Sequence, residues 1–331
     1  MYGWYEETKS DPGGISSYVQ SAVFSKVYKW EEPALFSCVL RNFFSLTTLS
    51  ISLTEIPDEV LESISHWGEF THRITTLHLR WLRQCSLSGV ILPMIFAFPN
   101  LQNLLLDRLS ASPGELPQAY PVLQQRRLLD SLRVDGCKDQ VTEAIADLQF
   151  TPRSLAVDVR TWSMQKLLVP LSMTLVELVL IGVYSSCVDH KSIDDSFPDQ
   201  PDTMITDWHI AHLPPFPALT SLGIHVPDTL TLHLIHALYS ISSAPALASV
   251  TIEYTKKLPS KQYHPTWDSL DRWLVQMAEN STIDGDLVLT VVQTSWLTPT
   301  EFFPKFRRVG KVRRREINNW SKKRWDIGQH Y

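Results

Sequence analysis

The sequence predicts an α/β fold in which short parallel strands line one face of an open solenoid and helices line the other. Three observations predict it. Leucine and isoleucine recur in one pattern along the chain, helical periodicity fills the spaces between the copies, and hydrophobic residues make up 44% of the 331 residues. That share is enough to fill a core, and strand–helix units that cannot bury their apolar faces alone do so by stacking.

The repeated pattern is an apolar residue, two variable residues, an apolar residue, one variable residue and another apolar residue. Its copies centre on Leu49, Leu77, Leu104, Leu132, Leu155, Leu178, Leu222, Val250 and Leu287. The steps between centres are 28, 27, 28, 23, 23, 44, 28 and 37 residues, and six of these eight lie within the roughly 20–29-residue period of leucine-rich repeats. Cys137 stands at the ninth position of its copy, where that repeat carries Asn or Cys. The sequence therefore predicts an open leucine-rich-repeat solenoid over residues 46–292.

Helical periodicity lies between the copies. A helix is predicted where apolar residues recur at steps of three and four, because they then share one face. The first such segment opens at Pro57, a residue type that favours the first turn of a helix. The apolar residues of the four predicted helices are Val60, Leu61, Ile64 and Trp67; Val141, Ile145 and Leu148; Leu234, Ile235, Leu238 and Ile241; and Trp267, Leu270, Leu274 and Met277.

Two of the steps are long and predict exposed insertions. The 44-residue step contains Cys187 to Asp207, with six aspartates and two prolines. The 37-residue step contains Thr255 to Pro265, with three lysines. Neither segment has the periodicity of a helix or strand, and insertions in repeat proteins usually lie on the surface, where some bind partners.

The N-terminal residues 1–45 are predicted to form a helical cap. Apolar residues recur at four-residue steps from Ile15 to Val27, which predicts a helix with one buried stripe. A second helix is predicted from Ala34 to Phe44, directly before the first repeat, where it would cover the open end of the array.

The C-terminal residues 293–331 are predicted to form a basic cap or tail. Between Lys305 and Arg324 there are ten Lys and Arg residues and one acid. Phe303 and Phe306 are expected to pack this segment on the last repeat. A nuclear-import signal and a nucleic-acid patch remain alternatives. The net charge of the whole chain is −5, so nucleic acid is not the expected partner.

The open face of the predicted sheet carries the candidate binding residues. Side chains alternate along a strand, so residues between the leucines point outward. Neighbouring strands lie about 4.8 Å apart, which places equivalent positions of successive copies side by side. The predicted partner-binding residues, an acidic row with basic and apolar neighbours, are His78, Arg80, Leu105, Asp107, Arg133, Asp135 and Asp158. Such a mixed patch is typical of a protein-binding surface, and a merely solvated sheet face is an equal alternative.

The acidic row also admits an enzyme alternative, a (β/α)-barrel hydrolase with carboxylates at the strand ends. A barrel interior is filled by bulky side chains, whereas the third position of the copies is mostly Ser and Thr. No nucleotide-binding or nucleophile-elbow motif occurs, and Asp207 with His209 and His212 is too small a set to indicate a metal site. We predict no enzyme activity, catalytic residue, cofactor or metal site.

The repeats resemble those of fungal F-box/leucine-rich-repeat-like proteins. Phe-Pro-x-Leu precedes two copies, at Phe98–Leu101 and Phe216–Leu219. Ile15–Val19 is similar to the join between F-box and repeats, and Phe303–Gly310 is similar to the usual ending. In that family the repeats hold substrates while the F-box docks on the Skp-type adaptor of a cullin ubiquitin ligase, so the resemblance implies a substrate receptor. No F-box is recognisable before Ile15, and the chain alone is expected not to bind the adaptor.

The remaining sequence features predict an intracellular protein, cytoplasmic or nuclear. The N-terminus has neither a basic lead nor an apolar run, so no secretory signal is expected. The longest apolar stretch, Gly89 to Phe98, is about half of what a membrane span needs. Four widely spaced cysteines fit reduced thiols better than a disulfide framework or a zinc ribbon. A protein partner is therefore the expected ligand.

Overall fold

The computed structural model describes residues 18–25, 42–52, 68–82, 85–111, 127–159, 164–182, 213–226, 232–254, 265–283, 285–293 and 303–316. The chain divides into two compact units, Met1–Arg153 and Ser154–Tyr331. In each unit the described strands form an open parallel sheet, with neighbours in chain order, and helices join them. The predicted α/β class with parallel strands is therefore confirmed.

Unit 1 contains five described strands and two described α-helices. The strands are β1 (Ser21–Ser25), β2 (Thr48–Ser52), β3 (Thr76–Arg80), β4 (Asn103–Asp107) and β5 (Leu128–Asp135). The helices are α1 (Leu92–Phe96), which continues a π-helical turn at Leu87–Ile91, and α2 (Asp139–Asp147). A 3-10 helix spans Gly68–Arg73.

Unit 2 contains β6 (Thr151–Asp158), whose residues from Ser154 onward belong to this unit, and five further described strands. These are β7 (Glu177–Ile181), β8 (Ser221–Val226), β9 (Ser249–Tyr254), β10 (Val288–Gln293) and β11 (Lys311–Glu316). Its described helices are α3 (Met164–Leu171), α4 (Leu232–Ser240), α5 (Pro265–Glu279) and a 3-10 turn at Phe306–Arg308.

The strand register confirms the repeated pattern from Leu49 to Val250. In unit 1, the centres pair across the sheet as Leu49↔Leu77, Leu77↔Leu104 and Leu104↔Leu132. In unit 2, Leu155, Leu178, Leu222 and Val250 pair in the same way. All these side chains are buried. Burial of each contributes about 1.5–3 kcal/mol, so aligned rows of leucines form the core of each unit.

The centre predicted at Leu287 is wrong by two residues. Leu289 pairs with Val250, whereas Leu287 precedes β10. Because side chains alternate with a period of two, a shift of two residues leaves the same side chains facing the core. Leu287 and Leu289 are accordingly both buried.

The helix predicted over Ile15 to Val27 is wrong where the structure describes it. Ser21–Ser25 is a strand, β1, and it pairs in parallel with β2. Residues four apart share a face in a strand as well as in a helix, so the four-residue spacing could not separate the two. Val23 stays 60% exposed on this strand.

The basic C-terminal segment contributes a strand to the sheet of unit 2. Phe303 and Phe306 are buried, as predicted. Lys311–Glu316, predicted as part of a cap or tail, forms β11 and pairs with β10. β11 is the last strand in the described part of the chain, and charged residues are common on strands at the edge of a sheet.

Three of the four predicted helices are confirmed as α2, α4 and α5, and the apolar residues named for them are buried. The fourth, after Pro57, lies outside the described residues, as do most of the helix predicted at Ala34 to Phe44 and both predicted insertions. The short helices α1 and α3 were not predicted. None of the helices in the described ranges is long and apolar enough to cross a membrane.

Candidate functional site

Six of the seven predicted binding residues come together on the open face of unit 1. Parallel pairing aligns them in two rows at the C-terminal ends of β3, β4 and β5. We call this surface the Arg–Asp face. One row contains His78, Leu105 and Arg133, and the other contains Arg80, Asp107 and Asp135.

Two arginines pair with the two aspartates of this face. Arg80 donates from Nε to Asp107 Oδ2 over 2.8 Å. Arg133 donates from Nη2 to Asp135 Oδ2 over 2.7 Å. The four side chains are only 17–26% exposed. The predicted acidic row is therefore a set of half-buried ion pairs, in which little free negative charge remains.

Burial raises the pKa of Asp107 above its ordinary value, and the neighbouring carboxylate of Asp135 raises it further. Arg80 and Arg108 oppose this shift. Desolvation disfavours the charged carboxylate, and the arginines partly restore it. Pairing with an arginine therefore offsets part of the cost of burying a charged carboxylate.

His78 is buried, which corrects the prediction that it faces solvent. Only 6% of the residue is exposed. Its Nδ1 has no hydrogen-bond partner in the described part of the chain. In the register His78 lies between Ser50 of β2 and Leu105 of β4. Burial, followed by the charges of Arg80 and Arg133, lowers the pKa of His78 to about 4.

We expect His78 to make the protein acid-sensitive. A depressed pKa means that the unfolded chain takes up this proton from about pH 6.5 downward while the folded protein does not until about pH 4. Stability should therefore fall across that window, by about 2–3 kcal/mol at pH 4.5. Urea unfolding at pH 7 and pH 4.5 should show a smaller loss for His78→Gln than for the parent chain. The raised pKa of Asp107 acts in the opposite sense in both proteins. Equal losses would contradict the assignment.

A polar row of Thr76, Asn103 and Ser131 crosses the same three strands, two residues before the row of His78, Leu105 and Arg133. Asn103 donates from Nδ2 to Thr76 Oγ1 over 3.3 Å and accepts at Oδ1 from Ser131 Oγ over 2.7 Å. This row ties β3, β4 and β5 together through side chains as well as backbone. These hydrogen bonds hold the three strands that carry the Arg–Asp face in register.

The residues directly after β3, β4 and β5 share an uncommon backbone conformation. Trp81, Arg108 and Gly136 have φ values of 60°, 55° and 63°. The amide of Trp81 donates to Asp107 O over 2.9 Å, and that of Arg108 donates to Asp135 O over 2.7 Å. A positive φ costs a bulky residue on the order of 1–3 kcal/mol and is often retained at functional sites. We call these three residues the turn ladder.

Arg108 is held between its two neighbours in the turn ladder. Its Cζ lies 4.2 Å from the centroid of the Trp81 ring. A Cβ at Gly136 would lie 3.0 Å from Arg108 Cγ, so the glycine makes room for the arginine stem. The sequence analysis missed Trp81 and Arg108. Alignment of the copies would have placed both at the position of Gly136, whose residue type already indicates a left-handed turn.

Asp158, the seventh predicted residue, belongs to unit 2 and is buried, with 1% exposure. Its neighbour in the register is Ile181, a branched side chain that is itself buried. The prediction of an exposed carboxylate at this position is therefore wrong. Asp158 is not part of the Arg–Asp face.

No group of three His, Cys, Asp or Glu side chains in the described ranges could hold a metal ion. Asp207, His209 and His212 lie outside those ranges. No model of a known protein family matches the sequence. Comparison with curated proteins also gives no match.

Proposed function

We propose that this chain is a protein-interaction scaffold and that a partner protein docks on the Arg–Asp face. The observation that supports the proposal is the pair of Arg–Asp bridges held half-buried around Leu105. An apolar centre with a polar surround is the usual anatomy of a protein interface. Arginine and tryptophan, both present at this edge, are the residue types that most often dominate binding energy.

The ion pairs favour binding because they fix the side chains before a partner arrives. Ordering a long side chain at an interface costs roughly 0.5–1.5 kcal/mol. Arg80 and Arg133 are already held by Asp107 and Asp135.

The repeats themselves support identification as leucine-rich repeats. The thiol of Cys137, at the ninth position of its copy, donates to Leu106 O on the neighbouring strand over 3.5 Å. A polar side chain at this position thus bonds the backbone of the preceding repeat. With the resemblance to F-box/leucine-rich-repeat-like proteins, this extends the proposal to a substrate receptor related to F-box ubiquitin-ligase subunits.

The test compares a variant of the Arg–Asp face with a matched variant elsewhere in unit 1. The face variant is Leu105→Ala with Arg133→Gln. The control is Leu128→Ala with Arg153→Gln, both at exposed residues away from the C-terminal ends of β3, β4 and β5. The face variant should reduce recovery of co-purifying proteins roughly tenfold or more, because interface anchors typically contribute above about 2 kcal/mol.

Quantitative mass spectrometry of proteins captured by each purified chain gives the measurement, and thermal unfolding verifies that each variant folds. The proposal is wrong when the face variant and the control retain the same proteins in the same amounts. It also fails when the parent chain retains nothing above a blank column.

A further inference from the structure

We propose that Arg108 is the anion-binding residue of the Arg–Asp face and that the docked partner presents an acidic peptide segment to it. This inference rests on the proposed function and names the chemistry of the partner. Three observations support it: the local charge balance, the placement of the guanidinium on Trp81, and the left-handed backbone that holds both residues.

Among the described residues of the Arg–Asp face and the turn ladder, arginines outnumber carboxylates by one. Arg80 and Arg133 each lie at hydrogen-bond distance from an aspartate, at 2.8 and 2.7 Å. Arg108 Nε lies 3.7 Å from Asp107 Oδ1, too far for a hydrogen bond. Three arginines thus face two carboxylates. Lys138 and Asp139, which follow β5, add one charge of each sign.

The guanidinium of Arg108 is placed to receive a planar anion. Its Cζ lies over the Trp81 ring, and a guanidinium has five N–H donors, more than this one contact can occupy. In the described part of the chain no residue hydrogen-bonds to its terminal nitrogens. The side chain is 45% exposed. A carboxylate matches this fork with two parallel hydrogen bonds.

The backbone holds this arrangement before any partner binds. Trp81 and Arg108 both keep a positive φ, and each amide donates to the next strand. The space left by Gly136 accommodates the arginine stem. A donor fixed in this way loses little conformational entropy on binding, which increases affinity.

The surroundings favour a peptide carboxylate over a polyanion. The Arg–Asp pairs leave little free charge of either sign, so Arg108 alone offers too little positive charge for the successive phosphates of a nucleic acid. A single carboxylate needs only the one excess charge. Leu105, half-buried on β4, can take an apolar side chain of the same segment. The favoured ligand therefore carries Asp or Glu near an apolar residue.

Selection of a random-peptide phage library on the full chain tests the proposal. Enriched peptides should be rich in Asp or Glu. For one enriched peptide and its Asn- or Gln-substituted copy, affinity is measured by fluorescence anisotropy against the parent chain, Arg108→Gln and Arg153→Gln. Loss of the peptide carboxylate and loss of Arg108 should each weaken binding roughly tenfold to a hundredfold. Binding of the substituted peptide to Arg108→Gln should be only slightly weaker than with either change alone. Arg153→Gln should leave the affinity unchanged.

The two proposals fail separately in this experiment. The acidic-peptide proposal alone would be overturned by peptides that contain no acids and bind the parent chain. Such peptides would have to lose affinity for the Leu105→Ala, Arg133→Gln variant and bind Arg108→Gln as tightly as the parent chain. The same holds when inorganic phosphate displaces the peptide and free glutamate at equal concentration does not, because the site would then prefer phosphate. Absence of any peptide sensitive to the face variant would overturn the proposed function.

Discussion

Replacement of Asp271 by alanine should lower the free energy of unfolding by about 3–5 kcal/mol, because the carboxylate makes two buried charged hydrogen bonds. Asp271 lies on α5 and is fully buried. Its Oδ1 accepts from the amide of Phe306 over 2.8 Å, and its Oδ2 accepts from that of Lys305 over 2.9 Å. Alanine would leave both amides without a partner.

The loss of stability in Asp271→Ala should extend to β11, the last described strand. The Phe306 ring packs so closely on Gly310 that a Cβ there would lie 2.3 Å from the ring Cζ. Gly310 leads directly into β11, and Trp267 of α5 contacts Phe303 edge-on at a centroid distance of 5.8 Å. Asp271 thus fastens the segment that carries β11 to α5. Hydrogen exchange of the β11 amides should accelerate in Asp271→Ala.

Asp268→Ala is the matched control, one helical turn before Asp271. Asp268 binds Lys305 over 2.6 Å and Arg272 over 2.9 Å, and both partners are largely exposed. The Lys305 hydrogen bond holds the pKa of Asp268 below its ordinary value, but solvent screens such pairs. Urea unfolding should therefore show little change for this variant. Similar losses for both variants would disprove a special role for the buried carboxylate.

Replacement of Leu104 by alanine should cost about 3–5 kcal/mol, the usual range for a cavity in a packed core. Leu104, the second residue of β4, is fully buried, with Leu77 and Leu132 opposite it in the register. Leu105 is the same residue type one position later and points to the open face, where it is half-buried. Leu105→Ala should cost below about 1 kcal/mol.

This pair of variants tests which face of β4 is buried, because the same substitution is made at two successive positions. Urea unfolding of both should separate them by about 2 kcal/mol or more. Leu105→Ala should instead weaken partner binding. Equal destabilisation by the two variants would show that β4 buries both faces, and the open face could not then be a docking surface.

The positions of most strands followed from the sequence because each strand carries its own signal. Apolar side chains at alternate positions face the core whatever the neighbouring strand is, so Leu77, Leu104 and Leu132 identified β3, β4 and β5 without knowledge of the pairing. The helices α2, α4 and α5 were predicted for the same reason, because the spacing of their apolar residues is a local signal. β1 was missed because its four-residue spacing of apolar residues fits a helix as well as a strand. β11 was missed because its residues are mostly charged and show no alternation of apolar and polar side chains.

The sequence by itself determined which side chains point to the open face of unit 1 and that they mix acids, bases and one leucine. Only the tertiary structure decided what each of them does there. Arg80 and Asp107 are 27 residues apart and meet because neighbouring strands align them. His78 and Asp158 are buried although the alternation of their strands predicts outward side chains, and Arg108 lies over the Trp81 ring at two neighbouring turns with positive φ. Pairing and burial depend on residues one repeat away, so no local pattern can encode them.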